Sequence, residues 1–281
     1  MLSINTNVHS LFAQRSLSSS QGTLGTSLER LSTGLRINSA KDDAAGLFIS
    51  QKQTSDIRGI DQSIRNAGDG ISLAQTAEGA LGQVSNNVQR LREIAVQASN
   101  GTVEDRTGLQ KEADQLTQEI SRIIQTTTFN GTSLFDTGGT TSSLTFQVGQ
   151  DGTASNQVSL TLSGMTSGLI SAFASSLTAT GTVNVSSASS ASAALVSLET
   201  DIDDISKQRA TFGALQNRFE SVISNLQNYS ENLSASRSRI MDTDFASETA
   251  SLTKAQILQQ ASTSILAQAN QLPQSALSLL G

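Results

Sequence analysis

The sequence predicts a mainly α protein: an elongated antiparallel coiled-coil or helical-bundle rod, with a small β-hairpin region and paired terminal helices. Three observations carry this expectation. Apolar residues recur at intervals of three and four over long stretches, the spacing that keeps one face of an α-helix apolar. The 281 residues include no Trp, one Tyr and only 4% aromatics, which suits narrow seams of Leu, Ile, Val and Ala better than a wide layered core. One internal stretch swaps charge and helical spacing for Ser, Thr, Gly and alternating apolar residues, a strand pattern.

Taken in order, residues 1–45 carry an amphipathic helix striped by Leu24, Leu28, Leu31 and Leu35. Residues 46–136 hold the first long stripe: Ile57, Ile60, Ile64, Ala67, Ile71 and Ala74, an irregular step near Glu78, then Leu81, Val84, Val88, Leu91, Ala95 and Ala98. At 1.5 Å per residue this is a helix of roughly 60 Å. It ends in QRLREIAVQASNGT, where Asn100-Gly101 is a helix terminator. Leu109, Ala113, Leu116, Ile120 and Ile123 stripe a shorter helix, and Phe129-Asn130-Gly131-Thr132 reads as a tight turn.

Residues 137–190 read as a short Ser/Thr/Gly-rich surface segment; from Thr137 to Leu198 the one charged side chain is Asp151. Leu144, Phe146 and Val148 alternate with polar residues, as do Val158, Leu160 and Leu162, so QDGTASN between them turns a β-hairpin followed by a short flexible tail. Residues 191–240 predict a second long helix, striped by Leu195, Leu198, Ile202, Ile205, Phe212, Leu215, Phe219, Val222, Leu226, Tyr229, Leu233 and Ile240, with Arg209 as the main polar residue in the seam. Residues 241–281 add a terminal helix striped by Leu258, Ala261, Ile265, Ala269 and Leu272.

Charge divides the two ends. Arg15, Arg30 and Arg36 against Glu29 give the first 36 residues a balance of +2, and Asp242, Asp244 and Glu248 against Lys254 give residues 241–281 a balance of −2. Apolar stripes with opposite charge suit pairing with each other or with other copies.

Composition removes several function classes. A net charge of −6 argues against nucleic acid, whose affinity comes largely from Lys and Arg neutralising phosphates. No run approaches the ~18 apolar residues of a membrane span. The start, MLSINTNVHS, has neither Lys nor Arg nor an apolar core, so no cleaved secretory signal is expected. With no Cys and His9 as the only histidine, thiolate metal sites and paired-histidine zinc motifs are ruled out, and no catalytic group or cofactor site is expected. His9 reads as a polar residue on a helix or at a packing contact. Asp201, Asp203 and Asp204 lack the Gly and Glu of a calcium loop, Ser206 and Phe212 standing there instead, and read as a solvated helix face. The Asn-x-Ser/Thr triplets at Asn130, Asn184 and Asn232 are weak modification signals.

The ends are more specific. INTNVHSLFAQRSL and SLERLSTGLRINSAKDDAAGLFIS resemble the N-terminal signature of bacterial flagellins. ISKQRATFGALQNRFESVISNLQNYSENLSASRSRIMDTDFASETASLTKAQILQQASTSILAQANQLPQSALSLLG resembles their C-terminal one, departing at Lys207, where Asp or Asn is common. The likeness covers roughly residues 1–135 and 198–281. It implies a filament subunit that polymerises head-to-tail, with the terminal helices in the inner tube and no large outer domain. Leu24, Leu28, Leu31, Leu35, Leu258, Ile265 and Leu272 would then pack the filament core. It also implies export through the flagellar type III apparatus to an extracellular flagellum, with an export chaperone, cap and hook-junction proteins as partners beside the protein itself. QRLREIAVQ further resembles the segment by which many flagellins engage Toll-like receptor 5, which nominates Gln89, Arg90, Ile94, Gln97 and Glu112, with Ile94 where Leu is frequent. Two other readings are a hook-filament junction protein and a soluble secreted coiled-coil ligand or adhesin.

Overall fold

A computed structural model describes residues 7–135, 142–162 and 183–278. Along them run α1 (Val8–Thr33), α2 (Ala44–Ser99), α3 (Thr107–Thr126), β1 (Thr128–Phe129), β2 (Thr132–Ser133), β3 (Ser142–Gln147), β4 (Gln157–Leu162), α4 (Ala188–Met241) and α5 (Phe245–Ser278). The expected tail after the hairpin, residues 163–182, and the first six residues lie outside the described residues. The protein divides into two compact units. One is the continuous stretch Arg58–Ser230; the other combines Met1–Ile57 with Glu231–Gly281.

The central unit buries one apolar cluster. Ala67, Ala74, Leu81, Val84, Val88, Leu91, Ala95 and Ala98 of α2 meet Ala113, Ile120 and Ile124 of α3 and Leu198, Ile205, Phe212 and Phe219 of α4. The helical stripes read from sequence therefore face inward here, as their spacing requires. Within this unit α2 and α4 run antiparallel. Gly70 lies against the Phe219 ring, and further along α2 Glu78 reaches Gln216 at 2.9 Å and Arg209 at 3.8 Å. The irregular step in the first stripe and the polar residue in the second thus lie opposite each other.

Arg106 closes the end of α2, its Nε donating to the Ala98 carbonyl at 2.7 Å and its Nη2 to that of Asn100 at 2.9 Å. These bonds satisfy carbonyls that a helix end leaves without partners. After α3, β1 and β2 pair across Asn130 and Gly131, whose φ values of 48° and 79° are those of a two-residue hairpin turn. The second hairpin pairs Leu144 with Leu160 and Phe146 with Val158. Its apolar face joins the core, where the Phe146 ring meets Phe219 edge-on at 5.4 Å.

The returning backbone is fastened to α3 by one residue. Gln110 donates to the Val183 carbonyl at 3.1 Å and accepts from the Val185 N–H at 2.7 Å, standing in for a neighbouring strand. α4 then starts at a Ser187 cap, whose hydroxyl accepts from the Ser190 N–H, a role Ser favours.

The expectation of a solvated face for the Asp cluster is corrected at one position. Asp203 is exposed, but Asp201 is fully buried, because Leu198, Asp201 and Ile205 share one face at helical spacing. Towards its C-terminal half α4 keeps the stripe but buries less of it: Leu226 and Leu233 are half-buried and Tyr229 is exposed.

In the unit built from the two ends, α1 packs on α5. Gly34 ends α1 at φ 72°, its N–H bonding to the Arg30 carbonyl at 2.8 Å, a left-handed cap that glycine adopts without strain. Asp43 caps α2 through Gly46 N–H at 2.8 Å, and Asp244 caps α5 through Ala246 N–H at 2.9 Å. The second aspartate of KDDAAG and of DTDFAS is therefore a helix start. In this unit too the first turns of α2 meet the last turns of α4, Gln53 bonding Ser236 and Arg237 bonding Thr54.

Candidate functional site

Two surfaces hold the residues nominated from sequence. The first is the α1–α5 pair. Its seam is made of small side chains: Ser10, Ala13 and Ser27 on α1, and Ala255, Ser262 and Ala269 on α5 are all buried. Small residues let two helix backbones approach closely. Polar contacts fix the register. Asn7 donates to the Ala269 carbonyl at 2.7 Å, Ser27 donates to Glu248 at 2.6 Å with Arg30 3.6 Å from the same carboxylate, and Leu35 bridges to Asp242. The balances of +2 and −2 thus meet in part through Arg30 and Glu248.

The large apolar residues of this pair do not fill the seam. Leu24, Leu31 and Leu35 are half-buried; Leu28 is 52% exposed, Leu258 46% and Ile265 55%. Leu272 falls within α5, but its side chain lies outside the described residues. Val8, Leu11, Phe12 and Ile257, which the leucine stripes did not nominate, are also exposed, Phe12 by 70%. The signal for them was present in VHSLF, where two apolar residues follow Val8 at helical spacing. An isolated soluble protein rarely leaves so much large apolar surface uncovered.

The second surface lies where α2 turns into α3. The guanidinium of Arg90 bonds Glu93 and Glu112, each at 2.8 Å, so α3 supplies one of its two carboxylate partners. The Glu93 carboxylate, and then Glu112, holds the Arg90 guanidinium above its ordinary range. Gln89 and Gln97 are exposed, and an open groove of about 520 Å³ is lined by Gln89, Arg92, Glu93, Val96 and Ile202. Ile94 is the exception among the nominated residues. It is 1% exposed and belongs to the core cluster, because it lies three residues from Leu91 and four from Ala98 on the buried face. In this protein it lies beneath the surface, while its near neighbour Val96 is an exposed apolar residue on the same helix. Four nominated residues, Gln89, Arg90, Gln97 and Glu112, thus remain at the surface.

Among the described residues no group of three or more His, Cys, Asp or Glu could hold a metal ion, and no helix is long and apolar enough to cross a membrane.

Comparison with known proteins agrees with both ends of the sequence. Residues 4–140 match the family described as bacterial flagellin N-terminal helical region, and residues 195–280 match the bacterial flagellin C-terminal helical region. Flagellin B of Vibrio cholerae is 38% identical over 376 aligned positions spanning 100% of both chains, and flagellin D of Vibrio anguillarum is 37% identical with the same coverage. Among solved structures, Bacillus cereus flagellin aligns with 34% identity and a TM-score of 0.48, over 58% of this chain and 88% of that one. A flagellar hook-associated protein of Vibrio parahaemolyticus shares the fold at a TM-score of 0.56 and 14% identity, over 72% of this chain and 100% of that one. The chain belongs to the bacterial flagellin family, a family of structural proteins, and is a subunit of the flagellar filament.

Proposed function

We propose that the outward apolar faces of α1 and α5 are the surfaces through which each subunit meets its neighbours in the filament. The observation that carries this reading is the division of labour in the pair: small residues fill the seam between the two helices, while Leu11, Phe12, Leu28, Ile257, Leu258 and Ile265 remain outside it. Contacts of this kind between non-equivalent patches propagate an open helical polymer when the rotation from one copy to the next does not close a ring. The test is seeded polymerisation of the double variant Phe12→Ser and Ile265→Ser, watched by electron microscopy. The monomer is expected to keep its helical circular dichroism and to elongate seeds poorly. Filaments growing at the normal rate would refute the reading.

The α2–α3 surface is proposed to serve both a neighbouring subunit and, in the free monomer, Toll-like receptor 5. Gln89, Arg90, Gln97 and Glu112 supply polar contacts, and Ile94 acts only by holding the helix in place. An exposed Arg flanked by amides and an open groove suits a protein partner. Export to the cell exterior by the flagellar type III apparatus, and handling by an export chaperone, a cap and hook-junction proteins, complete the proposal. The absence of cysteine suits threading of the polypeptide and its later life outside the cell.

A further inference from the structure

We propose that Asn100-Gly101 is a site of spontaneous covalent modification, at which the protein turns its own asparagine into isoaspartate and Arg106 holds the product. The sequence contains two Asn-Gly pairs, at Asn100 and Asn130. Asparagine is chemically labile, and a following glycine has no side chain to shield its nitrogen. The structure distinguishes the two pairs.

At position 100 the groups the reaction needs are accessible. Asn100 and Gly101 are exposed, and a Cβ at Gly101 would meet nothing within 4 Å. Asn100 Oδ1 accepts the Thr102 N–H at 3.2 Å. That bond draws electron density from Cγ and folds the carboxamide back along the backbone that follows it. Asn130, by contrast, is held at φ 48° between the paired residues Phe129 and Thr132, so its carboxamide cannot swing onto the next nitrogen without breaking the hairpin.

The chemistry needs only water. The Gly101 nitrogen gives up its proton to water or hydroxide and bonds to Cγ of Asn100. The Cγ–Nδ2 bond breaks, ammonia leaves with the proton, and a cyclic imide remains. Water then opens the ring. Breaking the new bond between Cγ and the Gly101 nitrogen yields aspartate; breaking the original peptide bond routes the backbone through Cγ and leaves the former peptide carbonyl as a carboxylate.

That carbonyl oxygen is the one Arg106 already contacts at 2.9 Å, and Arg106 is held in place by its second bond to Ala98. Isoaspartate would therefore form with a guanidinium waiting for its new charge. An ion pair replaces a bond from the same guanidinium to an uncharged carbonyl, and the negative carboxylate at the C-terminal end of α2, where it opposes the helix dipole, is compensated.

The test is ageing of the purified full-length protein in mildly alkaline buffer, followed by peptide mapping and enzymatic isoaspartate detection. Asn100 is expected to convert faster than Asn130 by about tenfold, a barrier difference of about 1.4 kcal/mol. In denaturant the two rates should converge. Thr102→Pro, which removes the N–H donor but keeps Asn-Gly, should slow conversion at Asn100. Aged Arg106→Gln protein should melt lower than its fresh counterpart by more than the wild type does. Equal folded-state rates, faster loss at Asn130, or identical ageing penalties in wild type and Arg106→Gln would overturn the proposal.

Discussion

At the scale of single residues, the closest approach in the core is between Gly70 and Phe219. A Cβ on Gly70 would lie 2.6 Å from the Phe219 Cε2 and Cζ atoms, and that ring is held on another side by Phe146. Gly70→Ala therefore loses more to overlap, typically about 1–3 kcal/mol, than the roughly 1 kcal/mol it gains in helix propensity, and the thermal midpoint should fall. Phe219→Ala should cost about 3–5 kcal/mol, measured by urea titration. Asp42 offers a pH test. Its carboxylate accepts from the Ser39 hydroxyl and the Ser39 and Asn38 N–H groups; the Ser39 hydroxyl first of these holds it below the usual aspartate range. A carboxyl whose folded value is depressed stabilises the fold above its unfolded value and loses that contribution as pH falls through the folded one. The Ser39 amide signal in an NMR titration should thus move only in acid below the ordinary aspartate range; a midpoint at the ordinary value would contradict the assignment. Residues also mark the limit of what sequence reveals. Glu78 and Arg209 stand out as breaks in two stripes and lie opposite one another in the fold. Asp201 and Ile94 run against expectation, because a charge suggests solvent and a motif residue suggests exposure. Spacing from Leu198 and Leu91 is the signal that places both inside.

At the scale of elements, hairpins were the most legible because turn chemistry is local. QDGTASN and Asn130-Gly131 lie where β3–β4 and β1–β2 turn. Gly131→Ala, at φ 79°, should cost about 1–2 kcal/mol, readable from chemical denaturation, and little would change if the turn were not left-handed. The start of α4 was harder to see, since ASSASAA has helical residues and a serine cap but no apolar stripe. The α1–α5 pair was legible in outline only. A leucine stripe tells which face is apolar, not whether its partner is a neighbouring helix or another molecule. The alanines and serines that make the actual seam carry too little hydrophobic contrast to stand out. Ala255→Leu should therefore disturb the pairing more than Leu258→Ala does: overpacking a close seam costs about 1–3 kcal/mol, while trimming an exposed residue costs little. Comparing the thermal midpoints of the two variants tests this ordering.

At the scale of the whole molecule, the two units have different claims to independence. The central one is a single continuous stretch with its own apolar cluster, the usual conditions for folding alone. A fragment of residues 58–230 should therefore give a cooperative helical melt and fail to polymerise; a non-cooperative melt would show that the cluster depends on the missing ends. The terminal unit has no such continuity. The Ser27–Glu248 contact spans 221 positions and the Asn7–Ala269 contact spans 262. Contacts so remote in sequence carry a large loop-closure entropy and form slowly. A polypeptide delivered one end first holds its leading segment without a mate until the trailing segment arrives, and completion of this unit thereby reports that all of it has emerged. Long-range topology acts in this way as a clock, postponing closure of the terminal pair to the last moment of delivery.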